Sequence, residues 1–198
     1  TICRITFCRP GTRIYAGHKM KINEQKIPGV FIIEPVVFSD SRGGFLKIFN
    51  EDVYKSFQLE TAFKEFYYSV SHKNVIRGMH FQLPPSDHAK IVFVSHGAIL
   101  DVVLDLRKNS PMYMKHVATE LSAINKKIIY IPKGLAHGFL SAEDNTTVMY
   151  LQTSVYSKQD DAGVRYNSFG MEWGIKDPII SERDRSFPSI DEFNTPFI

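Results

Sequence analysis

The sequence predicts an all-β sandwich or barrel, on three observations. Short apolar runs broken by turn residues follow one another from residue 27 onward, among them "GVFIIEPVVF", "FYYSVS", "NVIRGMHFQ", "KKIIYIP" and "TTVMYLQTSVY". Strand-type alternation is clear in "AILDVVLDLR", with Ile99, Asp101, Val103 and Asp105 on one face and Leu100, Val102, Leu104 and Leu106 on the other. Helical periodicity is weak. Many short strands at regular spacing are the pattern of a sandwich or barrel.

The chain of 198 residues, 43% hydrophobic and 23% charged, is long enough for one well-packed core. Residues 1–20 hold Arg4, Arg9, Arg13 and Lys19 and no acidic residue, and read as a tail foreign to the domain, with Met20 as native start. Without those four, 20 basic residues face 21 acidic ones, so the net charge of +3 comes from the tail. Nothing after residue 20 clusters positive charge as a nucleic-acid surface requires. No apolar run reaches the ~20 residues of a membrane span. Cys3 and Cys8 both lie in the tail, which predicts no disulfide framework or thiolate metal site in the body, and a cytoplasmic setting. Residues 21–198 are expected to form a single domain. Within it, "NEDVYKSF" (50–57) predicts a short helix capped by Asn50, and "SAINKK" (122–127) a turn between strands. The proline-bearing stretch from Trp173 predicts ordered loop or short helix packed on the barrel.

Arg77 and His80 interrupt the apolar run "VIRGMHFQ", and ionisable groups on an inward strand face are costly unless paired or used. Three residues apart, they would point to opposite faces of an ideal strand; a bulge at Gly78 would bring both inward. His80 and Gln82 share a face without help. Downstream, "IPKGLAHGF" places Pro132, Gly134 and His137 at the spacing of the second cupin motif, whose metal-binding members carry H-x-H in an earlier strand. Here that strand reads His80-Phe81-Gln82, and an amide is a poor ligand for a transition metal. The expectation is no metal and no cofactor. His72, His88, His96 and His116 read as surface or loop residues, and Asp105 as a partner of Arg107 or of a turn.

"RGMHFQ" followed by "AK", then "DVVLDLR", "PKGLAHGF", "MY" and "SERD", resembles the dTDP-4-dehydrorhamnose 3,5-epimerase family, in the same order and from about Gly29 to about Pro188. "FSDSRGGF" near the start is similar to the family as well. The resemblance implies a double-stranded β-helix, a jelly-roll or cupin-like barrel with a few short helices, acting on a nucleotide-diphospho-4-keto-6-deoxyhexose in deoxysugar biosynthesis. Protons at C3 and C5 of such a sugar flank a carbonyl, so epimerisation needs a base, an acid across the ring, and cations near the C4 oxygen. By resemblance His80 is the base, Asp184 of "SERD" orients it, Tyr150 is the acid, and Lys90 with Arg77 stabilises the enolate oxygen. Arg42, Lys47, Gln82, His137 and Tyr156 are implied as substrate-binding residues, with His137 near the diphosphate and Asp101 at a polar position inside the barrel. The family's exchange of N-terminal strands implies a homodimer.

The chain departs from the family pattern at several places. Lys47 stands where an acidic residue is usual, Gly44 for Phe, Glu65-Phe66-Tyr67-Tyr68 for Q-D-N-H, and Leu151 for Lys. By the resemblance these positions lie mainly around the nucleotide and sugar pocket, leaving open which nucleotide and sugar bind and whether one or two carbons are epimerised. The alternatives are a C3-only epimerase with a non-thymidine nucleotide, a sugar-nucleotide 3,4-ketoisomerase, a metal-dependent cupin, and a non-catalytic sugar-binding module.

Overall fold

The computed structural model describes residues 6–7, 12–15 and 18–198, with side chains from Met20 onward. Two antiparallel sheets carry the fold. The larger runs in the order β1 (Thr6–Phe7), β2 (Thr12–Tyr15), β3 (His18–Glu24), β4 (Phe31–Glu34), β12 (Ile128–Ile131), β9 (Lys90–His96), β14 (Thr146–Gln152) and β7 (Glu65–Ser71). The smaller runs β11 (His116–Ser122), β10 (Ala98–Asp105), β13 (Leu135–Ser141), β8 (Ile76–Gln82) and β15 (Asp161–Gly163). A separate hairpin pairs β5 (Val37–Asp40) with β6 (Gly43–Leu46). This is the expected double-stranded β-helix. Among the described residues no helix is long and apolar enough to cross a membrane.

The alternation read in β10 sorts its side chains between two cores. Ile99 and Val103 join Val92, Val94, Ile129, Val148 and Phe139 in the core between the sheets. Val102, Leu104 and Leu106 pack instead with Ile76, Met79, Trp173, Ile190 and Phe197, so the C-terminal stretch covers the outer face of the smaller sheet. That stretch contains α2 (Glu182–Arg185) and a 3₁₀ turn at Ile190–Glu192, as expected. On the outer face of the larger sheet lies α1 (Glu51–Ser56), whose Asn50 cap accepts from the Val53 N–H at 3.1 Å and whose Tyr54 is fully buried. The predicted turn after β11 closes on Asn125, which accepts from the Ser122 and Lys127 N–H groups. Asp105 pairs with Arg107 at 2.8 Å. Of the tail, Thr6–Phe7 and Thr12–Tyr15 pair as β1 and β2, and Met20 in β3 is buried; Cys3 and Cys8 lie outside the described residues.

The expected irregularity in β8 is present. Between the pairs His137↔His80 and Phe139↔Arg77, β13 advances two residues while β8 advances three. The extra residue makes a bulge at Gly78–Met79. Gly78 has φ +136°, and a Cβ there would lie 2.5 Å from the Gly138 Cα. Gly78→Ala meets both a forbidden backbone region and a backbone clash that no rotamer relieves. It should destabilise the protein by more than about 2 kcal/mol, read as a lowered denaturation midpoint; an unchanged midpoint would contradict this account of the bulge.

Candidate active site

The bulge brings Arg77 and His80 to one cavity of about 380 Å³ between the two sheets, in the size range of small-molecule sites. His80 Nε2 lies 2.8 Å from Asp184 Oδ1. Because an ionised carboxylate only accepts, Nε2 carries the proton and Nδ1 is the bare nitrogen. The second oxygen of Asp184 accepts the Gly78 N–H at 3.1 Å, so one carboxylate fixes both the bulge and the histidine. Asp184 is held by α2, where the Ser181 side chain accepts the Asp184 N–H, and is only 3% exposed. Burial pushes the His80 pKa down although Asp184 works to raise it. Burial also works to raise Asp184, but the hydrogen bond and charge of His80, with the Gly78 N–H, hold it below the ordinary carboxylate value. The result at neutral pH is a neutral imidazole backed by a carboxylate.

Tyr150 enters the same cavity from the larger sheet, opposite the strand that carries His80. Its hydroxyl is 3.1 Å from Ser69 Oγ, and burial drives its pKa far up, so the phenol keeps its proton. Lys90, on the neighbouring β9, is 6% exposed, and burial lowers its pKa to about 8. Its ammonium has no hydrogen-bond or ion-pair partner among the described residues. Behind the cavity His137 Nε2 donates to Asp101 Oδ2 at 2.7 Å, a second histidine–carboxylate pair, buried on both sides.

Of the residues expected from the sequence, His80, Lys90, Tyr150, Arg77, Gln82, His137 and Tyr156 line the cavity, and Asp184 stands behind His80. Gln82 is committed elsewhere: its amide donates to the Ser86 carbonyl at 2.9 Å and accepts the Ser157 N–H at 2.6 Å, tying two loops together. Arg42 and Lys47 do not line the cavity. Arg42 sits exposed at the β5–β6 turn with its guanidinium on Asp40 at 2.6 Å. His72 and His96 are exposed and His116 half-buried. His88, read as a surface or loop residue, is instead buried and lines the cavity; burial, then the Lys90 charge, lowers its pKa to about 3. Glu65 and Tyr67, named from the sequence only as departures from the family pattern, and Ser69, Gln152, Asp161 and Arg183, not singled out there, also line the cavity. The signal for most of them was strand register: Tyr67 and Tyr150 are direct cross-strand partners, and Ser69 and Gln152 follow at two-residue spacing. Arg183, which binds Asp161 at 2.6 Å, was legible as the neighbour of Asp184.

The sequence and the fold have relatives of known identity. The chain is 38% identical over 168 residues to a dTDP-4-dehydrorhamnose 3,5-epimerase of Shigella flexneri, covering 83% of this chain and 93% of that one. The crystal structure of a dTDP-4-dehydrorhamnose 3,5-epimerase from Bacillus anthracis with TDP and pyrophosphate bound superposes with a TM-score of 0.84 at 36% identity, covering 86% and 99% of the two chains. A 3'-monoepimerase from Streptomyces bikiniensis in complex with dTDP-quinovose superposes with a TM-score of 0.79 at 31% identity, covering 83% and 85%. With residues 24–192 also matching the family model described as dTDP-4-dehydrorhamnose 3,5-epimerase, this chain belongs to that family.

Proposed function

We propose that the protein epimerises a nucleotide-diphospho-4-keto-6-deoxyhexose at C3, C5 or both, by proton abstraction and return through an enolate. The observation that carries this reading is the placement of His80, paired with Asp184, and Tyr150 at one cavity from opposite sheets. His80 Nδ1 takes the proton from carbon, and Asp184 stabilises the imidazolium that forms. The electron pair moves to the C4 oxygen, where the Lys90 ammonium, with Arg77, meets the developing charge in a poorly solvated site. Tyr150 then gives its hydroxyl proton to the opposite face of the same carbon, and water restores the proton on tyrosine and removes the one on histidine. The thymidine diphosphate in the names of the relatives makes a dTDP sugar the first substrate to offer. Similarity to a 3'-monoepimerase supports a C3-only reading as the alternative, and deuterium at C5 separates the two. A body without cysteine fits a reducing, cytoplasmic compartment.

We further infer a homodimer. β7 is the last strand of the larger sheet and exposes Phe66 and Tyr68 by 58% and 63%, while the β5–β6 hairpin exposes Phe38 and Phe45 by 50% and 59%. Edge strands and apolar patches of this kind invite a partner. A second copy is also the means by which Arg42 and Lys47, outside this chain's own cavity, would meet a substrate.

His80→Ala should lose both epimerisation and exchange of the C3 proton with D2O, by on the order of 10²–10⁴ in rate. Tyr150→Phe should keep exchange with retention and form little inverted product, and Asp184→Asn should slow both processes. NMR in D2O reads all three; wild-type inversion by Tyr150→Phe, or exchange by His80→Ala, would remove the assignment. The Lys90 pKa of about 8 in the substrate-free protein sets the high-pH limit: kcat/KM should fall as pH rises through that value and the ammonium is lost, and the fall should be absent in Lys90→Arg. Light scattering at micromolar concentration should give the mass of a dimer, and a stable monomer would overturn that inference.

A further inference from the structure

We infer that Tyr67 is a positioning residue for Tyr150, holding the phenol at the angle from which it delivers its proton; this rests on the reading of Tyr150 as the acid. The two tyrosines are direct partners across β7 and β14, and their rings stack with centroids 4.7 Å apart and planes within 13°. The terminal torsion of a tyrosine is broad, so the strand alone leaves the direction of the ring loosely set. A face-to-face neighbour removes that freedom. Tyr67 is itself tethered, its hydroxyl donating to Gln152 Oε1 at 3.2 Å, and the Gln152 amide nitrogen is in turn held by Glu65. Gln152 lies two residues beyond Tyr150 on the same strand face, so the tether runs back to the strand that carries the acid. Ser69, two residues beyond Tyr67, holds the Tyr150 oxygen at 3.1 Å. Ring plane and oxygen are thus both set from β7.

A purely structural role fits Tyr67 poorly. It is 39% exposed, on the last strand of its sheet, and belongs to none of the buried cores. It nonetheless lines the cavity beside the hydroxyl that must act.

The test reads partition rather than rate. Substrate in D2O divides between exchange with retention, which needs only the base, and inversion, which also needs an aimed acid. Tyr67→Leu and Tyr67→Asn both delete the ring. Each should fold, as thermal melting will verify, and lower the ratio of inverted to exchanged product about tenfold toward the value of Tyr150→Phe, since small misplacements of a reacting group cost about that much or more. Tyr67→Phe keeps the stacked ring without the hydroxyl and should restore the ratio. A wild-type ratio in both ring-deleted variants would overturn the positioning role while leaving Tyr150 as the acid. A wild-type ratio in Tyr150→Phe would overturn the acid assignment and the role of Tyr67 with it.

Discussion

The carboxylate of Asp184 is the constraint on which the site depends. One oxygen takes the N–H that the Gly78 bulge turns away from the β8 ladder, and the other takes the His80 Nε2–H. A charge this deeply buried is tolerable only when its acceptor capacity is used, and here it is used by the two features that define the site. The bulge aims Arg77 and His80 at one cavity, and the carboxylate holds the Nε2–H of the aimed imidazole, as the proposed role of His80 as base requires. α2 is only four residues long, and it places both this side chain and Arg183, which lines the cavity and binds Asp161.

A two-sheet architecture then supplies what proton return to the opposite face requires. The smaller sheet carries His80, His137 and Asp101, and the larger carries Tyr150, Lys90, Tyr67 and Ser69. In the proposed reaction a sugar ring between them would meet a hydrogen acceptor on one side and a donor on the other. Burial works in the chemically useful direction at each residue: it lowers His80, keeping a bare nitrogen, and raises Tyr150, keeping a proton. Lys90 is charged in a poorly solvated place without a fixed partner, which leaves its field to the substrate. His137 differs, because its Nε2–H is taken by Asp101 Oδ2, while the other Asp101 oxygen is buried without a hydrogen-bond partner among the described residues.

The positions where the chain departs from the family pattern are concentrated on the larger sheet and the hairpin, away from the histidine–carboxylate pair. Tyr67 replaces a short amide with a ring that packs on the acid, Glu65 holds Gln152, and Lys47 lies on the segment carrying the exposed hairpin. The histidine–carboxylate pair and the surroundings of Tyr150, the proposed acid, are thus built from separate strands, and variation in one leaves the other standing.

The sequence by itself determined the strands, the capped helix at Asn50, the turn at Asn125, the sorting of β10 and the chemical types at His80, Tyr150 and Lys90. The elements rest on local rules, which are alternation at period two, side-chain capping and the dihedral needs of a turn, whereas His80, Tyr150 and Lys90 were singled out by the resemblance of the motifs that hold them. The Gly78 bulge was only a conditional reading, since the sequence did not establish that Arg77 and His80 both face inward; the register of β8 against β13 supplies it. Tertiary structure alone decided the rest. "SERDR" reads almost as well as a surface helix turn, and only closure over 104 residues buries Asp184 against His80. His88 sits in a polar stretch that resembles a loop, yet the return of β9 and of the segment after β14 encloses it. Tyr67 becomes a partner of Tyr150 only because β7 pairs with β14, and Arg42 stands away from the cavity only because its hairpin leaves both sheets. Local sequence sets torsions and faces, whereas which faces meet depends on strand order and register, which the packing of the whole chain sets.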